Sequence, residues 1–192
     1  MQHRLILFLL FSTLTWVAGC KPQVARPKDK QDISPKQVEQ AAATFTSESD
    51  FLQRAAQEAR GQIELAQLAQ SKAQNPDVKK FADGIIKQDE DLMRDLEKLA
   101  STQNVTLPTG LDSAQNETKS KLEQKSGTDF DKAYTKEAKA RVEDMNRLFE
   151  GAIQKSQSQP VKDFATVNLI SLRDQLDSAT ATADKVSPRL KR

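Results

Sequence analysis

From Ser47 to Val186 the apolar residues recur at spacings of three and four, and no alternating run of strand length competes with them. Such a pattern restricts the chain to amphipathic helices that must bury their stripes against one another. Ser47 or Ser49 can cap a first helix carrying Phe51, Ala55, Ala59, Ile63, Ala66 and Ala69 on one face, predicted to stop near Asn75. Pro76 opens a second, striped by Val78, Phe81, Ile85, Leu92, Leu96 and Leu99. Gln103 to Leu111, with Leu107-Pro108 and Gly110, reads as the longest loop, and Ser113 to Lys125 as a weaker helix inside a crossover.

Gly127-Thr128 opens the third long helix, with Phe130, Tyr134, Ala138, Val142, Met145, Phe149 and Ile153 inward and an end around Ser156 to Gln159. Pro160 opens the fourth, where Val161, Phe164, Asn168, Leu172, Ala179 and Val186 form the inner stripe. The expected fold is all-α: an antiparallel four-helix bundle with a ferritin-like connection, spanning residues 47–186 and followed by a basic tail at 187–192. Leu52, Leu65, Leu68, Ile86 and Leu169 broaden the apolar faces, which fits either wide core-facing helices or an exposed apolar patch. The openings Pro76-Asp77-Val78-Lys79-Lys80-Phe81-Ala82 and Pro160-Val161-Lys162-Asp163-Phe164-Ala165 repeat each other. Duplication of a helical hairpin and convergence of two helix starts both account for that, and both predict the same architecture.

The first residues carry a different signal. His3 and Arg4 make a small basic segment, and Leu5 to Trp16 an apolar one too short for the roughly 20 residues that span a bilayer. Val17-Ala18-Gly19-Cys20 follows directly and reads as a lipoprotein cleavage site, with Val17, Ala18 and Gly19 recognised by the signal peptidase and Cys20 lipidated as the first mature residue. Several acyl chains, at roughly 0.8 kcal/mol per buried CH₂, would make the attachment effectively permanent. Lys21 in place of an Asp leans toward the outer membrane. Residues 21–46, rich in Pro, Lys and Gln, read as a tether with an r.m.s. reach of about 30 Å if fully flexible. Within it Ser34-Pro35 can start a short helix over 35–45, with Val38, Ala42 and Phe45 on one face.

Cleavage after Gly19 removes His3, the only histidine, and lipidation caps Cys20, the only cysteine. What remains cannot build a zinc site from Cys and His, a disulfide, a Ser-His-Asp triad or a histidine general base. Losing Arg4 lowers the net charge from +2 to +1, because residues 1–19 hold no Asp or Glu. Positive and negative residues are interspersed, and no basic run is paired with aromatics, so nucleic-acid binding is not expected.

Phe51 with Ala55-Ala56, Val78 with Phe81-Ala82, Leu107-Pro108 at the crossover, Gly127 with Phe130-Asp131 and Tyr134, and Phe164-Ala165 followed by Leu169, Leu172 and Leu176 form a recognisable set. From Phe51 to about Ala183 the chain resembles the ferritin-like bacterial family known as Domain of Unknown Function 4142, found largely in exported proteins. Most of these positions are packing or turn residues, so the resemblance implies a fold and carries no settled activity. It also implies inner-stripe positions where many members hold one Glu and three His, and here they are Gln62, Asp89, Val142 and Gln175. All four depart from that set. Ferritin-like dimetal sites need carboxylates and imidazoles converging from four helices, so iron oxidation, storage and peroxide chemistry are not expected, and neither is any cofactor.

Two readings of the inner polar residues follow. In the first, Asp89 on the second stripe, Glu137 near the inner face of the third long helix, and Asp174 and Asp177 flanking Gln175 offer a hard cation oxygen ligands alone. The alternative is a buried polar layer of Gln62, Asp89, Arg141, Asn168 and Gln175 that sets helix register, with Arg141 pairing with Asp89. As a whole the sequence points to a non-enzymatic envelope lipoprotein, membrane-attached through Cys20, whose helices engage an envelope protein or polymer. The other classes left open are a carboxylate-only metal protein and a small-molecule or stress-related binding module.

Overall fold

The computed structural model describes residues 45–187. The signal segment, Cys20, residues 21–44 of the tether with most of its short helix, and residues 188–192 of the tail lie outside these. The described part is all-helical, 84% of it in five helices, with no strand. They are α1 (Glu48–Lys72), α2 (Pro76–Thr102), α3 (Ser113–Glu123), α4 (Gly127–Lys155) and α5 (Gln159–Val186). Among the described residues no helix is long and apolar enough to cross a membrane.

The helix starts follow local chemistry. The Ser47 side chain accepts the Asp50 N–H at 3.1 Å, which satisfies one of the orphan donors of the first turn of α1. Asn75 caps α2 the same way, accepting from Asp77 N at 2.8 Å, with Pro76 directly inside. Asp112 and Gln115 form a reciprocal capping box that starts α3. Gly127 opens α4 at φ +57°, a left-handed value that glycine adopts without a side-chain clash. The last helix starts at Gln159, one residue before the expected proline.

Four named contacts set how the long helices lie. The three-residue turn Ala73 to Asn75 reverses α1 into α2, and Ser156 to Ser158 reverses α4 into α5. The start of α1 meets the end of α4, where Glu48 Oε1 accepts from Gln157 N at 2.9 Å and from Ser156 Oγ at 3.1 Å. The end of α1 meets the start of α4, where Asp131 accepts from Gln74 N at 3.2 Å and from Asn75 N at 2.9 Å. Lys185 reaches Asp77 at 3.2 Å, and Gln175 reaches Asp89 at 2.8 Å, so α5 runs antiparallel to α2. Each hairpin's turn is thus held by a carboxylate from the other hairpin.

The residues from Gln103 to Asp112 and then α3 cross from α2 to α4 over α1. Gln115 Nε2 donates to Gln57 O at 2.8 Å, and Lys119 pairs with Glu64 at 2.7 Å. The approach is close enough that a Cβ at Gly61 would lie 2.5 Å from Gln115 Nε2. A glycine in the middle of α1 costs helix stability, and here it admits the crossover.

The apolar interior forms two clusters. One gathers Phe51, Leu96, Met145, Phe149 and Leu172, and Phe51 meets Phe45, Phe149 and Phe164 with ring centroids 5.6, 5.2 and 6.4 Å apart. The other gathers Val78, Phe81, Ile85, Phe130 and Tyr134, the last two stacked at 6.1 Å. Ile63, Leu99, Ile153 and Phe164, expected on the inner stripes, are only partly buried and pack at the edge of the first cluster. A stripe drawn on a straight helix runs wider than the sector that its neighbours cover.

Candidate functional site

On α1 the first cluster ends at Ala59 and the second begins at Leu65; on α2 the gap falls between Leu92 and Ile85; on α5, between Leu172 and Ala179. Gln62, Asp89 and Gln175 fill these gaps and are 2%, 0% and 2% exposed. On α4 Val142 and Met145 bracket the same level, with the amide of Asn146 buried beside them. The four positions singled out by the family resemblance therefore stand at the seam between the apolar clusters, one on each long helix.

The geometry at the seam is specific. Gln175 Nε2 donates to Asp89 Oδ1 at 2.8 Å, while Asp89 Oδ2, Gln175 Oε1 and both side-chain polar atoms of Gln62 have no protein partner. Burial drives the Asp89 pKa up to about 7, and the hydrogen bond from Gln175 pulls the other way. Tyr134 is also held above its ordinary value, first by burial and then by the charge of Asp89. A cavity of about 10 Å³ lies against Asp89, Gln175, Gln88 and Asn168, room for about one water among polar partners.

Two expected members of the layer make their hydrogen bonds elsewhere. Arg141 does not reach Asp89: its Nε donates to Glu137 at 2.8 Å and its Nη1 to Glu58 at 3.1 Å. Its guanidinium thus bridges α4 to α1 near the surface, where solvation remains and two carboxylates offer better geometry. Burial raises the Glu58 pKa against the attraction of Arg141. Asn168 is half-buried and donates to Phe164 O of its own helix at 2.9 Å, so it lines the small cavity without bridging helices. Asn146, which the stripes did not single out, does bridge: its Nδ2 donates to Val142 O at 2.9 Å and to Leu172 O at 3.0 Å. The available signal was its position one turn beyond Val142, on a helix already apolar at Met145, Leu148 and Phe149.

These residues do not fit a ferritin-like metal centre. Val142 offers no donor atom, Asp89 Oδ1 is engaged by Gln175, and Glu137 is engaged by Arg141. Asp174 and Asp177 face solvent. Among the described residues no three carboxylate, imidazole or thiol groups converge.

On the surface, Val167 and Ile170 of α5 are 70% and 69% exposed. They sit three residues apart and so share one face. A wider groove of about 370 Å³ lies between α2 and α5, and Gln175 forms part of its lining.

In comparison with known proteins, the family model described as Domain of unknown function (DUF4142) matches residues 34–182. No curated protein and no solved structure is matched.

Proposed function

Because the chain belongs to the DUF4142 family, whose description assigns no biochemical role, its function rests on its own residues, and we propose a lipid-anchored envelope protein that acts by binding. Its helices form an antiparallel four-helix bundle with a ferritin-like crossover, which agrees with the contacts of Glu48, Asp131, Asp77 and Asp89 described above. Cys20, following Val17-Ala18-Gly19, carries the lipid and faces the bundle toward the periplasm, with the outer membrane favoured by Lys21. The bundle recognises an envelope protein or polymer; it neither catalyses a reaction nor binds nucleic acid.

The observation that carries the binding role is the pair Val167 and Ile170. Among the described residues these are the large hydrophobics left exposed, and they lie between exposed polar neighbours such as Thr166, Ser171 and Asp174. An apolar centre with a polar rim is the anatomy of an interaction patch.

Two measurements on the full chain in intact cells test this reading. An alkynyl fatty acid should label the wild-type chain and leave Cys20→Ala unlabelled; equal labelling of both, or of neither, removes the anchor. A photoreactive amino acid at Ile170 should give one discrete adduct that Val167→Asp abolishes. Adducts only with lipids and random abundant membrane proteins would sink the binding role.

A further inference from the structure

The outward stripe of α5 holds more than its apolar pair. Asp163, Val167, Ile170, Asp174 and Asp177 follow one another at spacings of four, three, four and three, so they share one face of the helix. The stripe is about 21 Å long at a rise of 1.5 Å per residue. All five side chains are exposed, and along the helix they read acid, apolar, apolar, acid, acid.

The charge of this face is uncompensated. None of the three carboxylates enters an ion pair among the described residues, and Asp163 accepts from Gln159 Nε2 at 2.8 Å, one turn earlier. Arg173 is the single base between Asp163 and Asp177, and it is turned toward α4, where it meets Glu150 at 3.1 Å. The neighbours Thr166, Ser171 and Ser178 are exposed and uncharged. Val167 and Ile170 therefore form an apolar centre with unpaired negative charge on both sides.

That pattern restricts what can cover the pair. An anionic lipid surface or anionic polymer would be repelled, and the stripe offers no lysine or arginine to meet it. A second copy fits no better. Laid antiparallel, with Val167 against Ile170, it would set Asp163 against the other copy's Asp174; laid parallel, each carboxylate would face its own counterpart. Alternating spacings of four and three are those by which one helix packs along another. A partner helix with an apolar middle and bases on either side meets the spacing and the charge together.

We infer that the outer face of α5 docks an amphipathic helix of another protein, apolar at its centre and carrying Lys or Arg on both flanks. The apolar centre covers Val167 and Ile170, one basic flank lies by Asp163, and the other by Asp174 and Asp177. This rests on the binding role proposed above and names the class of its partner.

The test uses the full chain in intact cells, with a photoreactive amino acid at Ile170 in one set and at Ser178 in another. Both should capture the same protein, at attachment points about two helical turns apart in a peptide that bears Lys or Arg on either side. The triple variant Asp163→Lys, Asp174→Lys, Asp177→Lys should lower the adduct yield more than about tenfold through like-charge repulsion. The triple change to Asn, which keeps side-chain size and removes the charge, should lower it by roughly fivefold. Circular dichroism of both purified variants should match the wild type, since all three positions are exposed. A discrete adduct whose yield ignores both triple variants, or whose peptide is acidic or uncharged, overturns this inference and leaves the binding role standing. Loss of every discrete adduct in the wild type removes both.

Discussion

Gln175 donates to Asp89 at 2.8 Å, and this hydrogen bond joins α5 to α2 at the seam between the two apolar clusters. The carboxyl has no exposed surface, and its other oxygen has no protein partner. Burial therefore favours the protonated form, with a pKa of about 7 against an ordinary 3.8. The folded state holds this proton over a range where the unfolded chain has released it. Stability should fall as pH rises from about 4 to about 7 and level off above, by up to roughly 4 kcal/mol at 1.36 kcal/mol per pKa unit. Urea unfolding of the wild type and Asp89→Asn across that range checks it. The variant keeps an acceptor for Gln175 and should lose the slope, and Asp89→Leu should be neutral or stabilising at pH 8. A large fall in Tm for Asp89→Leu would show that the carboxylate contributes more than it costs.

Glu48 predicts the opposite slope at lower pH. The backbone N–H of Gln157 is the main cause holding its pKa below the ordinary 4.5. Its contribution is present above that value and disappears as pH falls through the lowered one. Together with Asp89 this sets a stability maximum in mild acid. Glu48→Ala should cost about 1 kcal/mol because the site is partly solvated, and Asp131→Ala, buried with its two backbone N–H donors, about 2 kcal/mol. Hydrogen exchange should localise the loss to Ser156–Ser158 in the first variant and to Ala73–Asn75 in the second. Uniform loosening in both would argue against separate turn clamps.

The two mid-helix glycines should respond differently to alanine. Gly84→Ala meets open space and should stabilise by about 1 kcal/mol, the helix-propensity difference. Gly61→Ala gains a similar increment but drives its Cβ into Gln115, which must give up its bond to Gln57 O. Its Tm should hardly change, while the amides of α3 exchange faster. Unchanged protection in α3 would mean that the crossover does not depend on the contact at Gly61.

Helix starts were legible in the sequence because Ser47, Pro76, Gly127 and Pro160 act locally, through a cap, a fixed φ or a left-handed turn. The burial of Gln62, Asp89 and Gln175 was legible too, since each stands inside an apolar stripe or where the family resemblance directs attention. Partners were not. Arg141 has carboxylates at Glu137 on its own helix and Glu58 on the next, and spacing along one helix cannot rank those against Asp89. Asn146 and Asn168 both lie beside apolar stripes, and which of them crosses to a neighbour depends on helix rotation within the assembly.

The carboxylates of Glu48 and Asp131 place each half of the protein under the custody of the other. Glu48 begins α1 yet secures the turn between α4 and α5, and Asp131 in α4 secures the turn between α1 and α2. Neither hairpin is finished by its own residues. A chain cleaved within residues 103–112 should yield two pieces that are poorly helical apart and regain helix when mixed, with circular dichroism following the recombination. The covalent crossover would then serve as a leash that raises local concentration, while the mutual completion of turns dictates which surfaces meet.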